Sequence, residues 1–213
     1  MNPMFKNVCF GNYRTFDDFG LILVDQNIQP AIPKTNFIDI KGADGSIDLT
    51  ESLGVGVLYS DRTIEWTFAI HPKADMERKS SEVSGKLNGK RFEIRVFGDE
   101  DFYYDGRLSV SSYETGRKVR MIKIQAFCKP FKLKNERTHF RITAKVEHQR
   151  MKIYNGDMRL YADVNIPPDG YQVFIDNKTA GNILKLEPGA NEFEIYTIAG
   201  EEVVEIVYRE GYL

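Results

Sequence analysis

The side chains best suited to metal ligation, proton transfer or nucleophilic attack are three histidines, His71, His139 and His148, and two cysteines, Cys9 and Cys128. A zinc or nucleophile site needs such groups at short, characteristic spacings. None of the histidines has a carboxylate or cysteine at such a spacing, so each reads as an ordinary structural or surface residue. The cysteines lie far apart in apolar segments, beside Phe10 and Phe127, and read as free, buried thiols of a reducing compartment. Asp44, Asp48 and Glu51 superficially resemble a calcium loop, but the alternating acidic ladder and terminal bidentate glutamate are missing. Asp99-Glu100-Asp101 reads as a solvated acidic tip on a hairpin. No Gly-x-Ser-x-Gly, phosphate loop or dinucleotide fingerprint occurs. The sequence supports no enzyme and requires no cofactor or metal.

Aromatic residues offer a different chemistry. Phe102, Tyr103, Tyr104, Tyr113, Tyr154, Tyr161 and Tyr171 include several that must face outward if their strands alternate. Exposed tyrosines either stack on sugar rings or anchor protein interfaces. Sugar sites add clustered amide and acidic partners, which the linear sequence does not display, so an interface is the favoured reading. The alternative, from another class, is a carbohydrate-binding module whose second domain holds a host cell-wall sugar.

Bulk properties are those of a globular chain. Among 213 residues, 42% are hydrophobic and 28% charged, an ordinary balance. Mean hydropathy is −0.39, and no apolar run approaches the roughly 20 residues of a membrane-spanning helix. The N-terminal stretch lacks the basic start, apolar core and cleavage site of a signal peptide, so synthesis and folding in a cytoplasm are expected. Residues 1–130 carry 18 Lys+Arg against 18 Asp+Glu, net 0, and residues 131–213 carry 11 against 13, net −2. Neither part has the basic excess that gripping a phosphate backbone requires.

The elements that must position these groups are mostly strands. Asp44-Gly45 is a tight-turn signal between the alternating runs Phe37–Ile40 and Ile47–Leu49, which predicts a hairpin. Residues 29–33, punctuated by prolines, read as an arm or loop. Thr63 to Ile70 alternates with Ile64, Trp66, Phe68 and Ile70 on the core face. Pro72 to Leu87 is the one predicted helix, opened by proline and stopped by Asn88-Gly89. Arg91–Phe97 and Phe102–Val110 form a second hairpin, and Lys118–Phe127 is a further strand. The spacing predicts an N-terminal domain over 1–130, a polar linker over 131–137 and a C-terminal domain over 138–213. In the latter, strands over 140–146, 158–164, 171–175, 183–186, 193–198 and 203–208 are separated by Asn155-Gly156, Pro167-Pro168-Asp169-Gly170, Pro188-Gly189-Ala190-Asn191 and Ala199-Gly200. That rhythm is sandwich-like.

Taken in order, Phe16–Val24, Ile40–Thr50, the Tyr59-x-x-Arg62 step, the helix, Asp101-Phe102-Tyr103-Tyr104-Asp105-Gly106-Arg107 and Phe127-Cys128-Lys129-Pro130-Phe131 resemble the distal tail protein (Dit) family of long-tailed (siphovirus) bacteriophages. Leu186-x-Pro188-Gly189-x-Asn191 and the closing Val207–Leu213 resemble that family's second domain. One departure is Ala43, where these proteins often carry arginine. The resemblance implies a mainly β fold: an N-terminal β-sandwich belt domain with one α-helix, then a small galectin-like β-sandwich. It implies a homohexameric hub ring at the tail tip, with DNA passing through its channel without sequence-specific binding. Partners would be the tail tube protein, the tail-associated hub or lysin protein and, in some members, a receptor-binding protein, with no membrane involved. The interface residues implied are Asp44, Tyr59, Arg62, Phe102, Tyr103, Tyr104 and Arg107. With 213 residues there is little room for long receptor-holding arms, which suggests a plain hub in a virion or a prophage. A galectin-like fold does not by itself confer sugar binding.

Overall fold

A computed structural model describes residues 6–52, 56–70, 75–114, 120–168 and 171–213. The expectations for His71, for the Pro72 start of the helix, for Asp169-Gly170 and for the side chain of Tyr113 lie outside the described residues. The chain divides into two compact units, Met1–Pro130 and Phe131–Leu213.

The first unit contains β1 (Cys9–Phe10), β2 (Tyr13–Arg14), α1 (Thr15–Phe19), β3 (Leu21–Ile28), β4 (Phe37–Asp39), β5 (Ser46–Asp48), β6 (Arg62–Ile70), α2 (Met76–Leu87), β7 (Arg91–Arg95), β8 (Phe102–Glu114) and β9 (Arg120–Cys128). Its antiparallel sheet runs β2-β1-β7-β8-β9-β6-β3. Strict alternation along β6 sends Arg62, Ile64, Trp66, Phe68 and Ile70 inward, as the sequence predicts for the last four. The Trp66 ring meets Phe10 edge-on at 5.3 Å. Its Nε1 donates to Gln26 Oε1 at 3.0 Å, so the one polar atom of the indole is satisfied where it is buried. Val83 and Leu87 of α2 close the same core. The helix starts because the Asp75 carboxylate accepts from the backbone N–H groups of Glu77 and Arg78 at 3.0 and 3.2 Å. It ends at Asn88, and Gly89 follows at φ 74°, a conformation that favours glycine.

The short helix α1 escapes sequence reading because five residues show no periodicity. Polar side chains hold it instead. Asn7 Oδ1 accepts from Phe16 N at 2.8 Å, and the buried Thr15 hydroxyl accepts from Val8 N at 3.0 Å.

The second unit contains β10 (Lys132–Lys134), β11 (Thr138–Lys145), β12 (Gln149–Asn155), β13 (Leu160–Asn165), β14 (Val173–Ile175), β15 (Lys178–Thr179), β16 (Ile183–Leu186), β17 (Gly189–Thr197), β18 (Glu201–Tyr208) and β19 (Gly211–Tyr212). Two four-stranded sheets, β11-β18-β13-β16 and β12-β17-β14-β15, enclose one core that includes Met151, Ile153, Leu186, Ile195, Val204 and Ile206. The two fold classes expected, a mainly β first part with a helix and a small β-sandwich, are those found. Strand β12 goes unnoticed in the sequence because only Met151 and Ile153 mark its inner face, between Arg150, Lys152 and Tyr154.

The expected linker needs correcting. Within 131–137, Lys132–Lys134 is a strand paired with Gly211–Tyr212. Arg209 Nη1 donates to the carbonyls of Lys134 and Asn135, both at 2.6 Å, and Lys134 Nζ reaches Glu210 at 3.1 Å. The polar residues that read as a solvated linker are partners for the C-terminal residues.

Candidate functional site

Between β3 and β6 the chain leaves the sheet as an arm, described over 29–52 and 56–61. Its base is a ladder: Gln29 N donates to Thr63 O at 3.1 Å, Ser60 N to Ile32 O at 2.8 Å and Lys34 N to Leu58 O at 2.7 Å. Pro33 bridges Tyr59. Further out, β4 and β5 pair as Phe37 with Asp48, Ile38 with Ile47 and Asp39 with Ser46. The strands are joined through residues 40–45, where Ala43 N donates to Ile40 O at 3.2 Å and Gly42 and Gly45 take φ of 85° and 75°, so the tight turn expected at Asp44-Gly45 is corrected to a longer loop. Asp48 Oδ1 accepts from Thr50 N at 2.9 Å, and the Thr50 hydroxyl holds the Asp48 carboxyl below its ordinary range. This aspartate braces the chain where it leaves β5.

The alternation in this hairpin leads one to expect a buried face, yet all six residues of β4 and β5 are exposed. Phe37 is 58% and Ile47 is 48% exposed, and Ile32, Ile38, Ile40 and Leu58 are exposed as well. Alternation specifies that a strand has two faces; it does not specify what covers either one. Uncovered apolar side chains gathered on one hairpin make this arm a candidate interaction surface.

The expected interface residues separate into two groups. Asp44 is exposed at the arm's tip, Tyr59 and Phe102 are half-buried, and Arg107 is exposed and donates to Gly89 O at 2.5 Å. Arg62 and Tyr104 are inside the fold, at 5% and 3% exposure, and Tyr103 is buried too. The Arg62 guanidinium lies 5.5 Å from the Tyr104 ring centroid, while its Nε and Nη2 have no hydrogen-bond partner among the described residues. A cation over an aromatic face explains how this charge is tolerated beside the core. These three side chains are therefore corrected from surface groups to internal ones. Arg62 faces inward because β6 continues its alternation back to it, Tyr104 belongs to the core, and Tyr103, next to it on β8, is buried outside that core cluster.

Around Arg107 the outer face of the sheet forms a cavity of about 340 Å³, lined by Asp61, Arg91, Asp105, Arg107, Phe127 and Lys129. Both oxygens of Asp105 accept from Arg91, through Nε at 2.5 Å and through Nη2. That pairing raises the Arg91 pKa above its ordinary value. Lys129 Nζ lies 3.9 Å from Asp61. Arg91 and Lys129 face carboxylates and Arg107 is held by a backbone carbonyl, an arrangement that suits a structural face better than an anion site.

The other reactive groups do not assemble. Both cysteines are free thiols; burial pushes the Cys128 thiol up to about 12 and raises that of Cys9. Such thiols are poor nucleophiles. Among the described residues no group of three or more His, Cys, Asp or Glu side chains is arranged to hold a metal ion. His148 stacks on Tyr196 at 3.9 Å and lies 3.1 Å from Glu194, within a row that Phe174 extends. His139 lies 3.2 Å from Glu205. No helix among the described residues is long and apolar enough to cross a membrane.

Neither a family model nor a curated protein matches this sequence. Among solved structures the chain is similar in fold to the SPP1 Dit (gp 19.1) protein, described as a paradigm of the hub adsorption apparatus in phages infecting Gram-positive bacteria. The TM-score is 0.64 at 12% identity, over 97% of this chain and 99% of that one. The chain therefore has, along nearly its whole length, the fold of that hub protein.

Proposed function

We propose that this chain is a structural phage tail protein, not an enzyme, which closes into a hexameric ring at the distal tip of a siphovirus tail. In this reading the ring joins the tail tube to the tail-tip proteins and surrounds the channel through which DNA passes. The observation that carries the proposal is the exposed apolar arm, on a chain with the fold of a tail hub protein. An isolated two-stranded hairpin is marginally stable in water, so one that leaves Phe37, Ile38 and Ile47 uncovered is suited to burial against another chain. Head-to-tail contacts of this kind close into rings when the rotation fits. Partners in this reading are further copies of the chain, the tail tube protein and a tail-associated hub protein, with a receptor-binding protein as a further candidate. The location is the virion tail tip, after synthesis in a bacterial host.

Electron microscopy and solution mass test the proposal. Purified protein at high concentration is expected to give six-fold rings, single or stacked, each interface burying more than about 1,200 Å². Ring closure that requires a partner would leave a monomer in dilute solution. A species that stays monomeric at millimolar concentration, and is absent from the tail tips of particles made with it, sinks the proposal.

A further inference from the structure

The outward face of the sheet β11-β18-β13-β16 carries a groove that the hub reading leaves without a role. Its cavity is about 670 Å³, lined chiefly by Arg137, His139, Asp163, Asn165, Asn182 and Glu205. Register explains the grouping. Arg141, Glu205 and Asn165 form one cross-strand row, and His139, Val207 and Asp163 form the next. Val207 is only 7% exposed and makes an apolar floor, whereas Val203, on the same face, is open to solvent.

The walls carry charges already in pairs. Glu205 Oε1 accepts from Arg141 Nε at 2.8 Å and lies 3.2 Å from His139 Nδ1, while Asp163 accepts from Arg137 Nη1 at 3.4 Å. Arg141, then His139, hold the Glu205 carboxyl below its ordinary range, so it stays an acceptor near neutral pH. Between these pairs the side-chain amides of Asn165 and Asn182 make no hydrogen bond among the described residues. At one end stands Tyr161, on the same face of β13 as Asp163 and 68% exposed, lining an adjoining cavity with Arg137, Asp163 and Val207.

We propose that this groove binds a neutral pyranose unit of a glycan. A sugar hydroxyl both donates and accepts, so vicinal hydroxyls match a carboxylate held beside a guanidinium. Free amides extend the same pattern, and the C–H face of a pyranose fits the Tyr161 ring and the Val207 floor. Because the guanidinium and carboxylate charges cancel, an anionic polymer has no net attraction to draw it in. The amide and acidic partners that the linear sequence fails to display are brought together here by strand pairing.

The test uses the full-length chain and ligand-observed NMR with methyl glycosides of glucose, galactose, mannose and N-acetylglucosamine at millimolar concentration, together with backbone amide shifts. At least one glycoside is expected to bind, with shifts centred on Tyr161, Asp163 and Asn165. Tyr161→Ala and Asn165→Ala should each weaken that binding about tenfold, while Tyr154→Ala on the other sheet leaves it unchanged. Binding by none of the four, or binding that both groove variants leave intact, overturns the proposal. So does a change in oligomer mass caused by Tyr161→Ala without any sugar binding, which would make the face a protein contact. Sugar binding by a chain that never forms rings would sustain this proposal and sink the hub reading, so the two failures are distinguishable.

Discussion

Trp66 gives the sharpest quantitative test of how the first unit is held together. It is the one tryptophan in the chain and is fully buried, with its N–H on Gln26 and its ring against Phe10. Trp66→Ala should cost about 3–5 kcal/mol from lost burial and a residual cavity. Within that total, the edge-to-face contact with Phe10 accounts for about 0.5–1.5 kcal/mol. The bond to Gln26 adds about 1 kcal/mol. Trp66→Phe keeps a ring but loses the donor, so it should cost about 1–2 kcal/mol. A domain has only about 5–15 kcal/mol of stability to lose, so the alanine variant should be poorly soluble at 37 °C, whereas the phenylalanine variant should fold. Urea unfolding followed by circular dichroism measures both. At a slope of about 2 kcal/mol/M, a loss of about 4 kcal/mol lowers the midpoint by about 2 M. In the parent protein, tryptophan fluorescence reports the first unit alone and should resist a soluble quencher. A parent tryptophan that is quenched as readily as a free indole, or an alanine variant within about 1 kcal/mol of the parent, would refute the reasoning.

Three further outcomes are expected. A Cβ on Gly156 would lie 2.3 Å from the carbonyl oxygen of Gly211, a backbone atom that cannot step aside, so Gly156→Ala should destabilise the second unit by about 1–3 kcal/mol, measured by urea unfolding. Phe37→Asp combined with Ile47→Asp should leave unfolding within about 0.5 kcal/mol per site, because both side chains are exposed, yet abolish self-association measured by sedimentation. The Glu210 carboxyl is raised by desolvation but lowered more by bonds from Thr138, Tyr212 and Lys134, for a net lowering, whereas Glu210 followed by burial pushes the Tyr212 phenol up to about 12. The stability contributed by Glu210 is therefore present above its unfolded pKa of about 4.3 and lost as pH falls through the lower folded value. The contribution of Tyr212 is present below about pH 10 and lost as pH rises toward about 12. Glu210→Gln should flatten both limbs of the pH–stability curve followed by circular dichroism.

Elements whose register writes itself into the chain were legible. The β6 pattern and the stop at Asn88-Gly89 each follow from local rules, and the structure has both, whereas the hairpin around Asp44-Gly45 forms with a longer loop over 40–45 than a tight turn. What stayed hidden depends on non-local pairing. β10 offers a single apolar residue, Leu133, and its pairing with Gly211–Tyr212 spans about 80 residues. Tyr104 and Arg62 read as surface groups until the sheet brought the ring and the guanidinium together. The groove on the second unit shares this character. Arg141, Asn165 and Glu205 occupy three strands with no short spacing between them, and only the order β11-β18-β13 makes them neighbours.

Charge pairing on the outer face of the first unit connects composition to the proposed hub. Its equal counts of acidic and basic residues, 18 − 18 = 0, include several pairs that meet directly on the sheet surface. Lys123 Nζ meets Glu65 at 2.9 Å, Gln125 donates to the other oxygen of Glu65 at 3.0 Å, and Arg91 holds Asp105. Exposed pairs like these contribute little to stability, about 0–1 kcal/mol each, so folding alone gives a weak reason for them. Their stronger consequence is electrostatic. Affinity for a phosphate backbone scales with the number of cations free to displace condensed counterions. A cation already facing a carboxylate is a poor competitor for a phosphate. A face built this way would let a polyanion slide past, and a ring through which DNA must pass rather than stop needs that property of whatever surface faces its channel.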